Sequence, residues 1–166
     1  MCSPATLRGR QFYNIQQRGV TFVHNIKIER CWADTVIDLY ELCITCSNDH
    51  ITAWAMECWA SNEMIDDLAN KIERYSKKEI SEFEWKVGDF ELNRLSEVTF
   101  KVLPMNKFGN LFIQVDMKIY NSSYLNCQSG VCLINIQTEI GLLENFGRRI
   151  SKLKERKNNI IVSLID

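Results

Sequence analysis

Only two prolines and seven glycines occur in 166 residues, too few for long disordered linkers or a loop-built fold. No apolar run reaches the ~18 residues that a membrane helix needs, and the N-terminus MCSPATLRGRQFYNIQQRG lacks the apolar stretch of a signal peptide. The expected location is therefore the cytoplasm. Two histidines, His24 and His50, leave little material for imidazole acid–base chemistry. There is no GxSxG, P-loop, GxGxxG or HExxH. These absences point away from an enzyme and toward a binding protein, with no cofactor expected.

The seven cysteines are an odd number scattered through strand-like segments, which suits reduced, mostly buried thiols. Cys43 and Cys46 form a CxxC, but inside an apolar strand, where residues three apart face opposite sides of the sheet. It has neither the knuckle spacing of a zinc site nor the strand-to-helix position of a redox motif. No metal site is expected. His24 falls on the apolar face of its strand and is expected to be a satisfied core histidine. His50 follows the turn at Asn48 and Asp49 and is expected at the surface.

The length corresponds to one domain, by the usual ~100 to 200 residues each. Residues 1–18 mix arginines with polar residues without any period and predict a loosely held arm, followed by a single domain over 19–166. The clearest signal is EVTFKVLPMNKFGNLFIQVDMKIY, residues 97–120. Val98, Phe100 and Val102 alternate with polar residues, and Ile113, Val115, Met117 and Ile119 answer them across a break at Pro104–Asn110. That is an antiparallel hairpin with one dry face.

Further strands are predicted from Gly19, after a turn at Ala33 and Asp34, and as ITAWAMECW across an Asn48-Asp49 turn. EFEWKVGDFEL predicts a tight hairpin turning at Gly88-Asp89, with Val87 facing Phe90 and Trp85 facing Leu92; VCLINIQT and the tail IIVSLI add two more strands. Two amphipathic helices follow the three- and four-residue steps of Met64, Ile65, Leu68, Ile72 and Tyr75, and of Ile140, Leu143, Phe146, Ile150 and Leu153. Ser61 and Thr138 are their predicted N-caps. Close packing on the sheet would explain the interior glycines Gly141 and Gly147. The fold class is α+β, a largely antiparallel, hairpin-rich sheet of about six to eight strands with two helices.

The net charge of -1 conceals an uneven distribution. Residues 1–32 carry five Lys+Arg against one acid, residues 33–100 six against fifteen, and residues 101–166 nine against five. An acidic middle suits a basic partner, and the natural complement is Glu79, Glu82, Glu84, Asp89 and Glu91, with Phe112, Gln114 and Asp116 on the polar face of the central hairpin. The basic end of the second helix follows from the helix dipole alone and, with a near-neutral chain, argues against nucleic-acid binding. Exposed aromatics such as Trp59 or Phe112 would mark a protein interface.

The strand-to-helix junction Glu139-Ile140-Gly141-Leu142-Leu143-Glu144 has the form E-x-G-x-L-E. Over residues 62–154, with the upstream helix, the Trp85 hairpin and the Ile113–Ile119 strand, the chain resembles a group of small uncharacterised bacterial α+β proteins. In general character it is similar to immunity proteins of bacterial toxin systems. The resemblance implies a non-catalytic protein that occludes a cognate toxin. A small-ligand-binding sheet domain and an enzyme without a recognisable motif are the alternatives; oligomeric state is open.

Overall fold

The computed structural model describes residues 24–90, 95–121, 128–155, 157 and 159–165. The expected arm, the start of the first strand at 19–23, Glu91 and Leu92 lie outside the described residues. Eight strands form two four-stranded antiparallel sheets. The first holds β1 (Asn25–Asp34), β2 (Leu39–Ser47), β3 (Thr52–Ser61) and β8 (Ile160–Ser163) in the order β3-β2-β1-β8. The second runs in sequence order through β4 (Phe83–Gly88), β5 (Glu97–Val102), β6 (Asn110–Asn121) and β7 (Gln128–Glu139). The two crossings between sheets are helices: α1 (Asn62–Ser76) joins β3 to β4, and α2 (Ile140–Ile150), continued by a 3-10 turn at Ser151–Lys154, joins β7 to β8. The α+β class, the antiparallel pairing and the two helices hold. No described helix is long and apolar enough to cross a membrane.

The sheets face each other across one core, with β3 lying against β4, β5 and β6. Alternation sets the inward faces. Ile26 and Ile28 of β1, Leu42 and Ile44 of β2, Val98, Phe100 and Val102 of β5, and Ile113, Val115 and Met117 of β6 are all buried. The central hairpin forms in the expected register, with Val98 opposite Met117, Phe100 opposite Val115 and Val102 opposite Ile113. On β3 the inward residues are Ala53, Ala55, Cys58 and Ala60, all buried and all small. Small side chains let the opposing sheet come close, and the bulky residues of β3 are left pointing outward.

The helices fill the sandwich with their apolar stripes. Ile65, Leu68, Ile72 and Tyr75 of α1 and Leu143, Phe146 and Ile150 of α2 are buried, and Leu153 continues the second stripe. Ser61 caps α1, its Oγ accepting the Met64 N–H at 3.3 Å. Trp85 faces inward and donates from Nε1 to the Met64 carbonyl at 2.8 Å, tying α1 to β4. Arg30, inward on β1 and 4% exposed, donates to the carbonyls of Leu153 at 2.6 Å, Glu155 and Lys157, and lies over the Tyr40 ring. Carbonyls left open after a helix C-terminus suit a cation, so this arginine fastens the chain between α2 and β8 without a carboxylate.

Three local expectations of turn and cap placement are corrected. The tight hairpin at Gly88-Asp89 does not form: β4 pairs with β5 across the connection 89–96, Val87 opposite Val98 and Trp85 opposite Phe100, because β5 supplies a full apolar face. Gly88 still needs to be glycine, with φ +84 and the Ser96 carbonyl 1.9 Å from where a Cβ would stand. The first turn is residues 35–38, not Ala33 and Asp34, which belong to β1; the Asp34 Oδ1 accepts the N–H groups of Val36 at 2.8 Å and Ile37 at 3.4 Å. Thr138 does not cap α2, because β7 runs on to Glu139 and turns Thr138 inward opposite Leu111.

Gly147 packs on a helix rather than the sheet: its Cβ would meet Ile72 Cγ2 at 2.5 Å, while Gly141 has open space. Gly147→Ala should therefore lower stability by about 1–3 kcal/mol, although alanine is favoured in an unconstrained helix by about 1 kcal/mol. Gly141→Ala should raise it by up to about 1 kcal/mol. Urea-denaturation midpoints moving in opposite directions for the two variants would bear this out; equal shifts would contradict the helix contact.

Candidate binding surface

The bulky outward residues of β3 lie on a sheet face that neither described helix covers. Trp54 is 59% exposed and Met56 52%, and across the strands Trp32 is 45% exposed. Their placement follows from register. Thr45 stands between Trp54 and Lys27, and Glu41 between Trp59 and Trp32. A bulge in β3, where Glu57 takes φ +57, inserts Met56 and Glu57 opposite Cys43; a second bulge in β1 at Cys31 brings Trp32 to the outer face. The rings of Trp32 and Trp59 meet edge to face with centroids 5.6 Å apart.

Carboxylates stand among these rings. Glu29 on β1 and Glu41 on β2 point outward beside Cys31 and Cys43, and Lys27 pairs with Glu29 at 3.2 Å. The Cys31 and Cys43 thiols are both held above their ordinary pKa, first by burial, with Glu29 and Glu41 adding to it. The thiols are therefore protonated at neutral pH and serve as soft apolar filling between the rings. Cys43 points out and Cys46 into the core, where burial raises its pKa strongly. The CxxC thus splits across the sheet, and no cluster of three His, Cys, Asp or Glu side chains suited to a metal occurs among the described residues.

The outer face of the second sheet is also left uncovered by the described helices. Phe112 is exposed there, and Gln114 and Asp116 are half-buried. Rows across the strands read Glu84, Lys101, Gln114 and then Lys86, Thr99, Asp116, with Glu97 beside Lys118 below. Signs alternate, so this face is charge-balanced rather than acidic. Of the acidic set, Glu79 ion-pairs with Arg74 at 3.5 Å, Glu82 and Glu84 are exposed at the start of β4, and Asp89 follows its far end, about 20 Å away. Glu79, Glu82, Glu84 and Asp89 are strung along one strand and its approaches rather than gathered in one patch.

His24 is not a core residue. It sits half-buried at the rim, where Nδ1 accepts the Gln137 N–H at 2.9 Å and Nε2 donates to Asp49 Oδ2 at 3.2 Å. The carboxylate orients the ring, but both nitrogens are engaged, which leaves no lone pair for a general base. Its structural effect is to tie the β2–β3 turn to the edge of β7, as Asn48 does by donating to the Asn135 carbonyl at 3.3 Å. His50 is exposed in that turn, as expected. A groove of about 390 Å³ runs between α1 and α2, lined by Ala69, Ile72, Ser76 and Gly147 and flanked by the pairs Glu73–Lys77 and Glu144–Arg148.

The sequence pattern marks Trp59 and Phe112 but not Trp32, Trp54 and Met56. The available signal was the alternation of Ala and Cys with Trp and Met in ITAWAMECW, which only reads correctly once the small residues are assigned to the core. No protein-family description matches the chain, and no characterised protein or solved structure is significantly similar to it.

The strongest electrostatic feature of the second sheet is Glu97, 4% exposed, which binds Lys86 at 2.8 Å and Lys118 at 3.1 Å and accepts the Phe90 N–H at 3.4 Å. Burial opposes its ionisation, but the two ammonium groups and the N–H outweigh it and hold its pKa below the ordinary glutamate value. A depressed folded-state pKa contributes stability that is present above the unfolded value of about 4.3 and lost as pH falls through the folded one. Glu97→Gln should therefore lower the urea midpoint at pH 7, and the deficit against wild type should shrink as pH drops below about 4.3. A deficit independent of pH would contradict the charged network.

Proposed function

We propose that the protein is a non-catalytic binding module that engages a basic protein surface through the outer face of β1, β2 and β3. The observation that carries this reading is the joint exposure of Trp54, Met56 and Trp32 on a sheet face that neither described helix covers, with Glu29 and Glu41 among them. Large aromatic and methionine side chains dominate the energetic centres of protein interfaces, and leaving them in water is unfavourable unless they are used. The carboxylates repel phosphate, which disfavours nucleic acid, and attract lysine and arginine. The most concrete form is an immunity protein that occludes a cognate toxin, working from the cytoplasm of a bacterium. The charge alternation on the second sheet lends less support to docking there through Glu84, Phe112, Gln114 and Asp116.

A second reading has its own observation. The groove between α1 and α2 falls in the size range of small-ligand pockets and shields the Ser76 Oγ, which has no hydrogen-bond partner among the described residues. It lies between the two helices rather than against either sheet.

The test pairs the chain with the toxin-domain protein encoded beside its gene. Trp54→Ala and Met56→Ala should each weaken binding at least about tenfold, near 1.4 kcal/mol, without changing the circular dichroism spectrum, since both side chains are exposed. Glu84→Gln with Phe112→Ala should leave affinity unchanged. The opposite pattern would move the interface to the second sheet; a neighbouring toxin that is neither bound nor inhibited would overturn the reading.

A further inference from the structure

Sheet edges carry rows of unpaired N–H and C=O groups, and this fold manages them unevenly. The edge strand β3 is broken by the bulge at Glu57, β4 carries Glu84 and Lys86, and β8 is only four residues long. Where β6 runs past β5, the Ser96 hydroxyl accepts the Tyr120 N–H and donates to the Tyr120 carbonyl. The twelve-residue β7 is different. From Gln128 to Thr138 it has no charged residue and no proline, and it pairs with β6 without a bulge.

His24 and Asn48 reveal which groups of β7 face its free edge. Gln137 offers its N–H and Asn135 its carbonyl away from β6, so residues spaced by two from them, Leu133, Val131 and Ser129, direct both backbone groups the same way. The Gln137 N–H and the Asn135 carbonyl are taken by the two side chains. Those of Ser129, Val131 and Leu133 have no partner among the described residues. Beside them Val131 is 73% exposed and Leu133 55%.

We propose that this open segment of β7 pairs antiparallel with the same segment of a second copy of the chain. The register is self-complementary. With the two-fold axis at Val131, each Ser129 meets the partner's Leu133 and the two Val131 residues meet each other, which satisfies about six backbone groups in reciprocal hydrogen bonds. Leu133 reaches diagonally over the partner's Val131 and removes the most exposed apolar surface of the strand from water. His24 and Asn48 end the pairing at Asn135, which fixes its length. The two second sheets become one continuous eight-stranded sheet, and the aromatic faces of the first sheets stay free. An edge contact this short makes a concentration-dependent dimer rather than an obligate one.

Sedimentation velocity over a concentration series and amide hydrogen exchange test this together. The chain should dimerise as concentration rises, and the Val131 and Leu133 amides, which point away from β6, should exchange more slowly in step. Val131→Lys places like charges directly opposite each other and should weaken the dimer at least tenfold. Val131→Pro removes only an edge-directed N–H and should do the same; should that variant misfold, the lysine variant alone carries the test. A chain that stays monomeric up to about 100 µM, weak by the standard of specific complexes, would overturn the proposal, as would a dimer that Val131→Lys leaves unweakened.

Discussion

The small inner face of β3 is the constraint from which the rest follows. Ala53, Ala55, Cys58 and Ala60 leave room for the second sheet to press against β3, where larger side chains would hold the sheets apart. A strand with small residues inside has to send its large ones outward. Trp54 and Met56 are therefore exposed for a structural reason before any functional one. In the proposed function this exposed face is where the partner docks, which makes β3 the link between packing and the binding we propose.

Closing the sandwich leaves loose ends that side chains secure. α1 and α2 make the two crossings between sheets and lie against each other where Gly147 removes the bulk that Ile72 would meet. Arg30 grips the carbonyls that follow α2 and sets the path into β8. His24, Asn48 and Ser96 occupy backbone groups at strand edges, so polar residues that suggest chemistry in isolation act here as substitutes for a missing strand. The stretch of β7 beyond their reach is the exception.

Much of this was legible in the sequence wherever one periodicity dominated. The central hairpin, both helices, the Ser61 cap and the splitting of Cys43 from Cys46 all follow from spacing alone. What could not be seen was long-range. Alternation shows that β3 has two faces but not which is inside, since Trp and Met outweigh Ala in hydrophobicity while the core selects for volume. The Gly88-Asp89 pair looks like a two-residue turn, yet β5 outcompetes Phe90 and Leu92 as a partner. Thr138 and His24 were misplaced because β7 runs longer, and the rim lies nearer, than local pattern shows. The acidic middle of the chain is real in composition, but folding interleaves it with Lys86, Lys101 and Lys118.

The central claim is that β3 is turned with its small residues in and its large ones out, and the tryptophans report on it directly. Incorporating 5-fluorotryptophan gives one fluorine resonance for each of Trp32, Trp54, Trp59 and Trp85, assignable through single Trp→Phe variants. With a paramagnetic agent in the solvent, the account predicts that the Trp54 resonance broadens most and that of the buried Trp85 least. A Trp54 resonance as protected as that of Trp85 would mean that β3 faces the other way, and the proposed binding surface would go with it.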